Sequence, residues 1–170
     1  MLPKGFSQVT NLITISASLT ESAANTFTTS AIQLPLDSLN NEVFVIYSAD
    51  VDVAAPNLIA DTRTRSRMSI STQPRTTVGG IDQPNVVGAS DITIQDVAGT
   101  AVAVTEFVSN NAPPTQLPYL AILATSDFHL NIEGTNNADA IGGNARLYGV
   151  RAKVTDPAVY ASLVQSELLS

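Results

Sequence analysis

The chain has 170 residues, one domain's worth, and its 44% hydrophobic and 14% charged residues exclude intrinsic disorder and allow a core without disulfide or metal staples. A formal net charge of -7 argues against a bulk nucleic-acid binder, which needs a basic footprint, and the absence of cysteine excludes thiolate metal sites, disulfides and thiol redox chemistry. The opening MLPKGFSQVTN has one lysine and no apolar run of signal-peptide length, and no stretch of about 18 apolar residues offers a membrane span.

Period-two alternation recurs along the chain. Ile13, Ile15, Ala17 and Leu19 share one parity, and after the polar bend ESAAN, Ile32, Leu34 and Leu36 share the other, which reads as two strands or one strand with a bulge. In EVFVIYSADVDVAAP, Val43, Val45, Tyr47, Ala49, Val51 and Val53 fall on one face until Pro56 ends the run. Phe44 and Ile46, then Ser48, Asp50 and Asp52, occupy the other face, so this strand is expected to begin buried on both sides and end with one side polar. Further strands are expected around Arg65 to Thr72, Ser90 to Val97 and Ala101 to Val108, then one long strand or two in YLAILATSDFHLNIEG, and a last one in ARLYGVRAKV. The separators QPRTTVGGIDQPN, SNNAPPTQLP and GTNNADAIGGN carry the Gly, Pro, Asn and Asp of turns. Short strands without intervening helices specify an antiparallel sandwich or barrel, in a single domain over residues 1–170.

Only TDPAVYASLVQSELLS reads as a helix, over about residues 157–168. Thr155 or Asp156 caps it, Pro157 suits its first position, and Val159, Tyr160, Leu163, Val164 and Leu168 form one apolar stripe. That stripe docks either on its own sandwich or on a neighbouring subunit.

Catalytic chemistry is sparse. His129 is the sole histidine, shares a strand face with Asp127, Asn131 and Glu133, and has no GxSxG elbow or comparable nucleophile to serve, so it reads as a polar strand-face residue. Asp50, Asp52 and Asp61 are weak candidates for a metal, as are Glu133, Asn136, Asn137 and Asp139, but neither group has the ligand spacing of a calcium loop. The pairs Gly79-Gly80 and Gly142-Gly143 read as turns, and no cofactor is expected.

The stretch RTRSRMSIST places Arg63, Arg65 and Arg67 on one face of a strand while Met68 and Ile70 point to the other. Three readings stay open: pairing with carboxylates of an adjacent strand, with Asp50 and Asp52 as candidates, or simply facing water; pairing with acidic groups of another copy; or nucleic acid. Aromatics are only 5% of the chain and none adjoins the stripe, which disfavours the last.

The order of elements resembles the single jelly-roll capsid proteins of small icosahedral viruses, in particular aquatic prokaryotic ones. The resemblance is carried by SLTESAANTFTTSAIQLPL, by EVFVIYSADVDVAAP with SRMSISTQ behind it, and by NARLYGVRAKVTDPAVYASLVQSELLS; it spans most of the chain and rests on pattern, not on a short motif. It implies an all-β, antiparallel eight-stranded jelly-roll sandwich with a short C-terminal helix. It also implies a non-enzymatic virion subunit, assembled in the host cytoplasm through lateral contacts with copies of itself, with no small-molecule substrate. Arg63, Arg65 and Arg67, with Tyr160, Leu163, Val164 and Leu168, are the residues expected at subunit contacts. A second capsid protein and an internal membrane are partners it leaves open. Many RNA-packaging relatives carry a basic N-terminal arm, and MLPKGFSQVTN is not one, so direct contact with nucleic acid is not expected. Two other readings compete: a virion accessory protein at a vertex, spike base or decoration site, and a non-viral binding or adhesin sandwich. The lack of tryptophan speaks against a sugar-stacking platform, and a single histidine against a cupin-type metal enzyme.

Overall fold

Each expected alternating segment forms a strand in the computed structural model, which describes residues 2–108 and 118–169. The turn-rich segment SNNAPPTQLP, up to residue 117, lies outside the described residues. In chain order the strands are β1 (Phe6–Gln8), β2 (Ile13–Thr20), β3 (Thr28–Gln33), β4 (Glu42–Val53), β5 (Arg63–Ser71), β6 (Val86–Val97), β7 (Ala101–Val108), β8 (Ala121–Leu123), β9 (Asp127–Thr135) and β10 (Gly142–Val154), followed by helix α1 (Pro157–Leu168).

The strands form two five-stranded antiparallel sheets. In the first, β1 and β2 lie end to end along one edge of β10, followed by β4 and β8; the second runs β3-β9-β5-β6-β7. The pairs β2·β10, β3·β9, β4·β8 and β5·β6 are nested, as though one long hairpin with β5 and β6 at its tip had been rolled so that successive rungs alternate between sheets. That pairing is the jelly roll, and its eight strands are those expected. β1 and β7 are additions to the two sheets. The segments on either side of ESAAN are two strands in different sheets, which settles the alternative left open by sequence.

Between the sheets lies a core of Phe44, Ile46, Ala49, Val51 and Val53 from β4, Met68 and Ile70 from β5, Phe128, Leu130 and Ile132 from β9, and Ala145 and Leu147 from β10. Each large side chain fully buried there contributes on the order of 1.5–3 kcal/mol. A second apolar layer lies on the outer side of the first sheet, where Val43, Val45, Val150, Ala152 and Val154 meet Tyr160, Leu163 and Val164 of α1.

These two layers overturn one expectation. Val43 and Val45 do not share a face with Ala49, Val51 and Val53. Ser48 pairs with Tyr148 and Ile46 with Gly149, so Tyr47 has no counterpart on β10. This bulge inverts the parity of β4, turning Val43 and Val45 out toward the helix while Phe44 and Ile46 turn in. Glycine is required opposite it, because a Cβ at Gly149 would run into the Val45 carbonyl oxygen and lie 2.7 Å from the Phe44 ring. Gly142 and Gly143, expected as a turn, instead open β10.

Gly149→Ala therefore lowers folding stability by about 1–3 kcal/mol, the usual cost of overpacking, read as a lower urea midpoint at unchanged m-value. An unchanged midpoint contradicts the bulge packing.

Candidate interaction surfaces

The helix begins where the sequence places it. Asp156 is the cap, its carboxylate accepting the Ala158 N–H at 2.9 Å, with Pro157 in the first turn. Thr155, the alternative cap, donates its hydroxyl to the Gly5 carbonyl instead. Tyr160, Leu163 and Val164 are half-buried on the chain's own sandwich, whereas Val159 and Leu168 stand out in solvent, Leu168 at 63% exposure. Among the contact residues expected from the helix, Leu168 is thus the one left exposed.

The side chain that anchors the helix end was not foreseen. Glu167 is buried, accepting the backbone N–H of Ala124 at 2.7 Å, that of Thr125 at 3.1 Å and the Thr125 hydroxyl at 2.8 Å. Burial pushes its carboxyl above the ordinary glutamate pKa even though these hydrogen bonds pull the other way. The available signal was spacing: position 167 lies seven residues after Tyr160 and four after Leu163, inside the apolar stripe.

The arginine stripe lies on the outer face of the second sheet. Arg65 Nε sits 2.9 Å from both carboxylate oxygens of Asp91 on β6, and its Nη2 closes on the same group. Asp91 thereby raises the Arg65 pKa above its already high value. Arg67, directly opposite Asp91 on one side and Glu133 on the other, donates from Nη2 to the Val78 carbonyl at 3.0 Å and holds Nε 3.8 Å from Asp91. The stripe's partner is thus a carboxylate of an adjacent strand in the same chain, but not Asp50 or Asp52. Those lie on β4 in the other sheet, in register with Arg146 and Asn144. The chain changes sheets between β4 and β5, so the two strands are not paired neighbours. Arg63 stands apart: it is exposed, faces Gln95 across the pair, and makes no ion pair among the described residues.

The acidic and amide-rich loops are occupied with one another. Asp61, at positive φ, accepts the Ala98 N–H at 2.8 Å and donates its own N–H to Asp96, fixing the loop before β5 to the β6–β7 turn. Asn137 takes the Asn57 N–H at 3.0 Å and exchanges two bonds with Asn25, while buried Glu21 accepts N–H groups from Thr26, Gly134 and Ile141. Asp61 is not brought to Asp50 and Asp52, and among the described residues no group of three His, Asp or Glu is placed to hold a metal.

His129 is buried between Ala31 and Ser71 on the neighbouring strands, and no serine or threonine hydroxyl bonds to it among the described residues. Beside it, Asn131 takes the Thr29 hydroxyl and donates to Ser71 Oγ, each at 2.9 Å. This is a packed polar strand face that, among the described residues, brings no nucleophile and base into line.

One surface was legible only as a strand. All eight residues of β7 are exposed, with Val102 at 54%, Val104 at 64% and Phe107 at 46%. The second sheet is a strand wider on this side than its partner, which ends in the three-residue β8. β7 therefore overhangs, and Val108 lines an open cleft with Asp50, Val51, Asp52 and Arg146 of the first sheet.

No family model matches the chain, and no curated protein does. Among solved structures, apo VP1 of chimpanzee polyomavirus is similar at 6% identity, covering 88% of this chain and 99% of that one, with a TM-score of 0.45. VP1 of trichodysplasia spinulosa-associated polyomavirus matches at 10% identity over 88% of this chain and 98% of that one, with a TM-score of 0.38. The same VP1 in complex with sialylated precision glycooligomers matches at 8% identity over 86% and 96%, with a TM-score of 0.36. The jelly-roll assignment rests on this chain's own strand pairing.

Because the Glu167 pKa is raised on folding, its contribution is fully present below the ordinary value of 4.5 and is lost as pH rises through the folded value. Glu167→Gln, nearly isosteric, is expected to remove that component, so that the thermal midpoint of the variant falls less than that of the parent chain between pH 4 and pH 7, about the range in which carboxylates titrate. Parallel pH profiles contradict the assignment.

Proposed function

We propose that the chain is a structural capsid subunit of an icosahedral virus, assembling laterally with copies of itself into a shell. The observation that carries the reading is the β7 flank. On a jelly roll whose helix is docked and whose loops are cross-bonded, one eight-residue strand carries large apolar side chains on both faces and has nothing over it among the described residues. Exposed apolar surface of this kind marks an interaction site. The sequence resemblance to jelly-roll capsid proteins of aquatic prokaryotic viruses supports the same role, and the pairing of Arg65 and Arg67 within the chain leaves little free cationic surface for nucleic acid.

In this reading Arg63 is the cation of the stripe that meets an acidic group on a neighbouring copy. Copies with a net charge of -7 repel at long range, so a local opposite-charge contact sets orientation and salt dependence. A second capsid protein or an underlying membrane is compatible with this role, and copy number in the virion separates a shell subunit from a vertex or decoration protein.

The purified chain, concentrated at moderate salt and viewed by electron microscopy, is expected to form capsomers or particles. Arg63→Ser is expected to weaken assembly and flatten its salt dependence while moving folding stability by less than about 0.5 kcal/mol. A chain that stays monomeric at high concentration and has no counterpart in virions contradicts the capsid role; wild-type assembly by Arg63→Ser contradicts the contact.

A further inference from the structure

Among the described residues no strand pairs with the outer edge of β7, and that edge has its own specificity. Natural sheets protect edge strands with proline, lysine, inward charges, bulges or short length. β7 has none of the first two, pairs with β6 without a register break over its full length, and carries a single charge, Glu106. Its outer row of backbone groups and its apolar side chains are therefore offered together, which is what strand addition uses.

We propose that β7 pairs antiparallel with β7 of a second copy across a two-fold axis at Val104, joining two five-stranded sheets into one of ten strands. The proposal deepens the capsid reading by naming one of the shell's contacts. The strand is complementary to itself in this register. Ala101 comes opposite Phe107, small against large, Ala103 opposite Thr105, and Val102 opposite Glu106. Val104, the most exposed apolar side chain of the strand, meets its twin on the axis. The carboxylate does not face its own copy, as it would if the axis passed through Glu106. Pairing from Ala101 to Phe107 also leaves Val108 to the cleft it shares with Val51 and Arg146. The partner's chemistry follows from charge: a basic partner would be drawn to the chain's acidic surface, whereas this nearly neutral strip suits a copy of an acidic chain that must approach itself without repulsion.

The lack of cysteine makes the register directly testable. Opposed Cα atoms of an antiparallel pair lie about 4.5–5.5 Å apart, within the roughly 4.4–6.8 Å that a disulfide spans. Val104→Cys in the full chain, under mild oxidation, is expected to give a reducible dimer as the main species on a non-reducing gel. Val102→Cys, whose position faces Glu106 of the other copy, is expected to stay monomeric. Circular dichroism checks that both variants fold, which the exposure of both sites favours. Absence of the Val104→Cys dimer, or equal crosslinking of the two variants, overturns the proposal. Electron microscopy of the same samples separates the two readings: particles without the crosslink remove this pairing and leave the shell role standing, and crosslinked dimers that never form particles uphold the pairing and count against the shell.

Discussion

The bulge at Tyr47 is the constraint on which the rest of the architecture depends. A strand with uniform alternation can bury one row of side chains against one neighbour. By inserting one residue opposite Gly149, β4 offers Ala49, Val51 and Val53 to the space between the sheets and, further back, Val43 and Val45 to the helix. Phe44 and Ile46 then complete the central core from the other parity. Without that inversion β4 could not turn Val43 and Val45 to the helix and Ala49, Val51 and Val53 to the core at the same time.

Around this frame the molecule is closed by polar bonds instead of further core. At one end Glu21, Asn25, Asn57, Asp61 and Asn137 tie four loops together through backbone N–H groups, and beside the helix Glu167 holds the turn between β8 and β9. Buried polar groups satisfied in this way fix geometry more than they add stability, since the net gain per hydrogen bond is about 1 kcal/mol. Such a body has its shape already set, and among the described residues β7 is an apolar strand it leaves uncovered.

Much of this was legible in the sequence. Period-two runs located the strands, and Asp156 with Pro157 and the apolar stripe located the helix, because local periodicity and capping depend on near neighbours alone. The Met68 and Ile70 face was legible for the same reason. The partner of the arginine stripe was not: Asp50 and Asp52 are close in sequence, but the jelly roll carries β4 to the other sheet, and Asp91 is brought in by the β5–β6 pairing. The bulge was hidden because Val43 to Val53 alternates without interruption on paper; only Gly149 on the strand opposite marks it. The exposure of β7 was hidden too, since AVAVTEFV has the composition of a buried strand, and its overhang is set by the shortness of β8 in the facing sheet.

The central claim is that this jelly roll is completed by a neighbour along β7. Amide hydrogen exchange, compared between the dissociated chain and the assembled state, tests it most directly. The account predicts fast exchange at the outward-facing amides of Ala101–Val108 in the dissociated chain and strong protection on assembly, with β5 and β9 equally protected in both. Equal, fast exchange along β7 in both states would contradict it.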